Sequence, residues 1–325
     1  MVAHTKTIAF AGALFLALGS GPVVADDPKA PEIPFAPERD TSLKDPDNPE
    51  AVFRVDMAKV ERSWPLSRAD LMKITPKNLE ALSQDQVDQI YGRITAGPVP
   101  DGIYRGTLFF AKADTTSPIT GDRETRIRDA MGGLLGILAE KKIGAVERVG
   151  KLLWKGKVFF RDKGYLRNMI EDLRLLKRKI DREDSVPKVT IPRFTWLNYS
   201  WVRYVPFLSN DVNLLFPAKL YCGQSLMDSR RESVIVDYYF NDEIEEYRDS
   251  PDSLAGRNGL KIRDEIRMIR PGFYLGRAYI NKIFLLNFTL YNKEVAEKHA
   301  AGFQAGEPLS EDCWAGEQQR AAALK

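Results

Sequence analysis

The chain has 325 residues, of which 44% are apolar and 10% aromatic, enough for a sizeable hydrophobic core. Its 48 Lys and Arg stand against 45 Asp and Glu, a net charge of +3, and so small an excess gives no reason to expect a nucleic-acid-binding face. There are two histidines, His4 and His299, and His4 falls in the signal-like first 25 residues, so a histidine-dependent catalytic or metal site would rest on His299 alone.

In chain order, His4 and Lys6 precede an apolar run from Ile8 to Leu18, a Gly21-Pro22 breaker and the small residues Val23-Val24-Ala25, followed by Asp26-Asp27. That order predicts a secretory signal over residues 1–25, cleaved near Ala25, and hence a periplasmic or secreted protein. The apolar run is far short of the roughly 20 residues that cross a bilayer. Residues 26–50 carry six prolines among charges, a composition that predicts a disordered leader. A helical segment is expected over 51–96, where Ser83 and Gln86 form a capping-box pattern and Val87, Ile90, Tyr91 and Ile94 recur at helical spacing.

The main domain is expected over 97–292. Ile103 to Ala111 reads as a strand, 123–153 as a long amphipathic helix, Trp154 to Phe160 as a second strand and 166–184 as a second helix dense in Leu, Lys and Arg. An aromatic-rich stretch from Arg193 leads to short strands at Ala218–Cys222, Glu232–Phe240, Leu260–Ile269, Phe273–Ile280 and Ile283–Tyr291, with turns at Pro271-Gly272 and Asn281-Lys282. Strands that follow one another directly predict an antiparallel meander, and a meander that closes removes its exposed edges. The predicted class is therefore α+β and mainly antiparallel β, a barrel or half-barrel with inserted amphipathic helices and a tail over 293–325. Cys222 and Cys313 are the only cysteines; in an oxidising compartment they would pair, the alternative being two free thiols.

Four stretches carry a resemblance: Ala96-Gly97-Pro98-x-Pro100-Asp101-Gly102-x-Tyr104-x-Gly106, then Trp154-x-Gly156-Lys157-x-Phe159, then Ile262-Arg263-Asp264-Glu265-Ile266-Arg267, and Gly272-x-Tyr274-Leu275-Gly276-Arg277. Their order resembles a group of uncharacterised exported bacterial proteins, whose closing strands are similar in turn to small lipocalin-like barrels recognised by a Gly-x-Trp-x-Gly motif. Tyr104 stands where that motif has Trp. The resemblance covers about 85–110, 150–170 and 218–292, and implies a barrel around an apolar cavity, with Tyr104, Tyr274 and Tyr279 among its wall residues, but no reaction.

Alternation along a strand places Arg263, Glu265 and Arg267 on one face and Ile262, Asp264, Ile266 and Met268 on the other, so Asp264 is the odd residue on an apolar face. Asp237 likewise shares a face with Ile235 and Tyr239. A carboxylate so placed must be paired or neutralised. Asp237 and Asp264 facing each other across a lumen would do acid–base work or, with Arg263, orient a polar head group; alternatively they are internal ion pairs that fix closure. Arg263, Glu265 and Arg267 read as a solvated charge ladder. Lys155 and Lys157, flanking Gly156 beside Trp154, would meet an anionic ligand at the barrel mouth or protect an edge strand.

No phosphate-cradling, dinucleotide or haem-attachment motif is present, so neither a cofactor nor a metal is expected. Three functions remain: a binding protein for an apolar or amphipathic, lipid-like small molecule; a hydrolase, isomerase or lyase using the carboxylate pair; or an envelope interaction protein whose inserted helices meet a partner or make peripheral membrane contact.

Overall fold

A computed structural model of the chain describes residues 28–37, 56–111, 154–171, 173, 186–192, 209–245 and 247–313. The expected signal segment, the helix over 123–153 and the aromatic residues 194–207 lie outside the described residues.

The described strands are β1 (Gly102–Phe109), β2 (Trp154–Phe160), β3 (Tyr165–Ile170), β4 (Lys188–Pro192), β5 (Ser209–Gln224), β6 (Glu232–Asp237), β7 (Ile262–Arg270), β8 (Phe273–Ile280) and β9 (Ile283–Tyr291). They pair in the order β3-β2-β1-β9-β8-β7-β6-β5, every neighbour antiparallel, and β3 also pairs with β5. That last pairing closes an eight-stranded antiparallel barrel; β4 lies outside the ring against the first residues of β5. The predicted β8 and β9 match the observed strands residue for residue. Their connection, Asn281-Lys282, has φ of 46° and 69°, the positive values that a tight two-residue hairpin of the primed type needs.

The expected helix over 166–184 is corrected at its start. Tyr165–Ile170 is strand β3, paired on one edge with β2 and on the other with β5. Leu, Arg and Met are good helix formers, but the two open edges on either side supply a full set of backbone partners, and tertiary pairing overrides local propensity. Residues 174–185 lie outside the described residues.

Helices α1 (Met57–Ser63), α2 (Arg68–Lys73), α3 (Pro76–Leu79) and α4 (Gln84–Arg93) follow one another closely because each start is capped. Ser67 with Asp70, Thr75 with Asn78 and Ser83 with Gln86 form reciprocal capping boxes. Ile74, Leu79, Leu82, Val87, Ile90 and Tyr91 from this segment pack with Phe109, Ile269, Phe273 and Leu275 in a core on the outside of the barrel. Ile33 and Phe35 join that core, and the Ala36 N–H donates to Gln89 Oε1 at 2.8 Å. Residues 28–37 of the expected disordered leader are therefore docked, because their few apolar side chains find an apolar groove. Helix α6 (Lys293–Gln304) follows β9 and carries the exposed His299.

The expected solvated ladder on β7 is also corrected. Glu265 and Arg267 are fully buried, because α4 and the β5–β6 turn cover that face. Arg267 donates to the carbonyls of Glu232, Tyr91, Asp228 and Arg231 and to Ser233 Oγ at 2.8–3.1 Å, and its guanidinium lies 4.7 Å from the Tyr91 ring centre. Glu265 Oε1 accepts from the Leu226 N–H and from Arg263. Side chains do alternate between two faces of β7, but the second face meets protein rather than water.

The barrel interior holds a second core, with Tyr104, Phe159 and Tyr274 in edge-to-face contact at 5.5–5.7 Å between ring centres. Cys222 and Cys313 form a disulfide that ties the segment after α6 to β5. Among the described residues no helix is long and apolar enough to cross a membrane.

Candidate functional site

One end of the barrel interior is filled by the three rings of Tyr104, Phe159 and Tyr274; the other holds an open-mouthed cavity of about 290 Å³. Its wall is mostly apolar, with Leu108, Ile170, Phe216, Ile262, Leu286 and Phe288 from five strands and Leu254, Ala255 and Leu260 from the β6–β7 connection. Into this wall are set Lys157, Asn168, Tyr238 and Asp264, with the Trp154 indole beside them.

Local backbone features aim these side chains. In a regular strand, residues three apart point to opposite faces, yet Trp154 and Lys157 both line the cavity. The register of β2 against β3 shifts between Trp154 and Gly156, a bulge in which Gly156 takes φ of 127°. A Cβ there would sit 2.1 Å from the Tyr104 carbonyl oxygen, so only glycine fits. On β5, Phe216 takes φ of 52°, a left-handed conformation that bulky residues rarely adopt. Its N–H donates to Asp252 Oδ1 at 2.7 Å and its carbonyl accepts from Asn168 Nδ2 at 3.0 Å, so both sides of the kink are held. Asp252 is supplied by the short helix α5 (Asp249–Asp252). Its burial pushes the carboxyl pKa up, against the Phe216 and Arg248 N–H groups that stabilise the anion.

The polar cluster is centred on Lys157, 2% exposed. Its Nζ lies 2.9 Å from Asp264 Oδ2, 2.9 Å from Asn168 Oδ1 and 2.6 Å from the Tyr238 hydroxyl. The ammonium also stands 5.3–5.5 Å from the ring centres of Trp154, Tyr238 and Phe288, a cation–π enclosure. Trp154 Nε1 donates to Asn168 Oδ1 at 2.9 Å, and Asn168 Nδ2 donates to the Tyr238 oxygen at 2.8 Å. Burial lowers the Lys157 pKa, while the Asp264 charge opposes that shift. Burial, with the Asp264 carboxylate adding to it, raises the Tyr238 phenol well above its ordinary 10.0, so it remains a neutral donor.

Of the residues singled out from sequence, the structure brings Lys157, Asp264 and Tyr279 to the cavity wall. Tyr104 and Tyr274 are in the packed end, where the Tyr274 hydroxyl donates to the Pro98 carbonyl at 2.6 Å. Asp237 and Arg263 are not in the cavity. Asp237 pairs in register with Arg263 while Val236 pairs with Asp264, so Asp237 and Asp264 point to opposite faces of the sheet. Asp237 accepts from the Tyr221 hydroxyl at 2.7 Å and the Tyr239 N–H at 2.8 Å, and Arg263 joins Glu265 and the Gln224 carbonyl. The expected carboxylate pair across the lumen is thus corrected: Tyr238, not Asp237, shares the cavity with Asp264. Lys157 lies deep inside rather than at a barrel mouth or an edge, and Lys155 instead pairs with Glu171 at the surface, 2.7 Å away.

Sequence reasoning missed Asn168, Tyr238 and Phe216. Asn168 sits between Leu166 and Ile170 in an alternating run, the same odd-polar signal that singled out Asp264, but the helical reading of that segment concealed it. Among the described residues no group of three His, Cys, Asp or Glu side chains is placed to hold a metal ion. No protein-family model, curated protein or solved structure matches the chain, so the site stands on its own geometry as a buried, charge-neutral polar cluster in the wall of an apolar barrel cavity.

Proposed function

We propose that the protein is an exported, lipocalin-like binding protein that holds an apolar or amphipathic small molecule in the barrel cavity. The observation that carries this reading is the combination of a cavity of about 290 Å³ with a mostly apolar wall and one convergent polar cluster. Small-molecule sites have that character, an apolar enclosure with a few polar groups that orient the ligand. The Cys222–Cys313 bridge supports an oxidising compartment, in keeping with the signal-like order of residues 1–25. Against a carboxylate-pair enzyme, Asp237 faces away from Asp264.

The test is displacement of an apolar fluorophore, with native mass spectrometry of the protein from its own source. Wild type should bind the fluorophore and carry a co-purified amphiphile. Ala255 lines the cavity and is 3% exposed, so Ala255→Phe should abolish both while the chain still unfolds cooperatively. Wild type that binds neither, or a variant that binds as wild type does, overturns the reading.

A further inference from the structure

The hydrogen bonds of the cavity cluster can be assigned atom by atom. Lys157 has three N–H donors and three acceptors: Asp264 Oδ2, Asn168 Oδ1 and the Tyr238 oxygen. Both Asn168 N–H groups are used, by the Phe216 carbonyl and the Tyr238 oxygen. Asn168 Oδ1 accepts twice, from Lys157 and from Trp154 Nε1. The Tyr238 oxygen accepts twice and gives its single proton to Asp264 Oδ2 at 3.3 Å. Every donor in the cluster is therefore committed. One acceptor is left over: Asp264 Oδ1 takes no hydrogen bond from the described residues, although Asp264 is 5% exposed and lines the cavity.

A carboxylate oxygen that faces an apolar cavity gains from a donor placed there. We propose that the ligand is a neutral amphiphile with a hydroxyl head group, which donates its proton to Asp264 Oδ1 while its hydrocarbon lies against Leu108, Ile170, Ile262 and Leu286. This inference rests on the binding function proposed above and adds the ligand's chemical class. An anionic head finds no free donor in the cluster among the described residues and meets the Asp264 charge at contact. A cationic head would face the Lys157 ammonium across the same carboxylate, 2.9 Å from its Oδ2. Because Lys157 and Asp264 already neutralise each other, the site has no net charge to offer either ion. A water's share of liquid volume is about 30 Å³, so the cavity suits a ligand of roughly ten non-hydrogen atoms.

The experiment is isothermal titration of the full chain at about pH 8 with nonanol, nonanoate, nonylamine and methyl octyl ether, four probes of nearly equal length. Nonanol should bind at least tenfold more tightly than each of the other three. Nonanoate equal to or tighter than nonanol overturns the inference while leaving a binding protein. Equal affinities for nonanol and the ether also overturn it, since the donor would then go unread, as does a preference for nonylamine. If none of the four binds and an apolar fluorophore also fails to bind, the binding function itself falls.

Discussion

Replacing Asp264 by Asn removes one charge from the cavity cluster and leaves its shape. At 2.9 Å and an effective dielectric of about 20, the attraction between Lys157 and Asp264 is roughly 6 kcal/mol before desolvation. The amide oxygen of Asn still accepts from Lys157, so the net loss is smaller. Breaking a buried pair from one side costs about 3 to 5 kcal/mol, and that is the expected destabilisation near neutral pH. The pH dependence gives the signature. Burial holds the Lys157 pKa below its ordinary 10.5, and the Asp264 charge pushes it back up, so without Asp264 the folded value falls further. Between the folded value and 10.5 the unfolded chain binds more protons, so stability rises with pH through that window and the deficit shrinks as Lys157 becomes neutral in both states. Urea unfolding of wild type and Asp264→Asn, followed by far-UV circular dichroism at about pH 7 and about pH 9.5, reads both effects. A deficit under about 1 kcal/mol, or one that is the same at both pH values, would refute the argument. The double variant Lys157→Met with Asp264→Leu should recover much of the loss, because no charge is then left unpaired.

Arg267→Met should destabilise by about 3 to 5 kcal/mol, since four carbonyls lose their shared donor, and should expose α4 to proteases before the barrel unfolds. Limited proteolysis with urea unfolding checks it; unchanged protection of α4 would contradict the role given to Arg267. Converting Cys222 and Cys313 together to Ser opens a loop of 91 residues, which the chain-entropy model values at about 4 to 5 kcal/mol. A matching fall in the urea midpoint should appear in wild type under reductant. Gly156→Ala places a methyl group 2.1 Å from the Tyr104 carbonyl oxygen, so it should cost at least about 2 kcal/mol and weaken fluorophore binding by turning Trp154 and Lys157. Binding at wild-type strength would show that the bulge does not aim the site.

Much of the barrel was legible because β7, β8 and β9 follow one another through short turns, and hydrophobic alternation sets register there without distant information. Asp264 was legible for the same reason, as a polar residue on an apolar face. What escaped depends on bulges and on second layers. Alternation places Lys155 and Lys157 together and Trp154 apart from both, whereas the bulge at Gly156 brings Trp154 round to Lys157. Asp237 shows the same limitation: its face relative to Asp264 depends on the β6–β7 register, which pairs it with Arg263 across two strands. Arg267 looks solvent-facing in any one-dimensional reading, because its cover is supplied by α4, 176 residues earlier in the chain.

That distance has a consequence for the order of events during synthesis. The N-terminal helices emerge first, but much of the apolar and arginine-lined surface they pack on belongs to β7 and β8, and the second edge of β1 is paired only by β9. A partly made chain holds neither a closed ring of strands nor a seat for its own beginning, and contacts so remote in sequence form late. The ring can therefore close only after β9 has been made, so the last strands decide when the earlier elements gain their full set of partners.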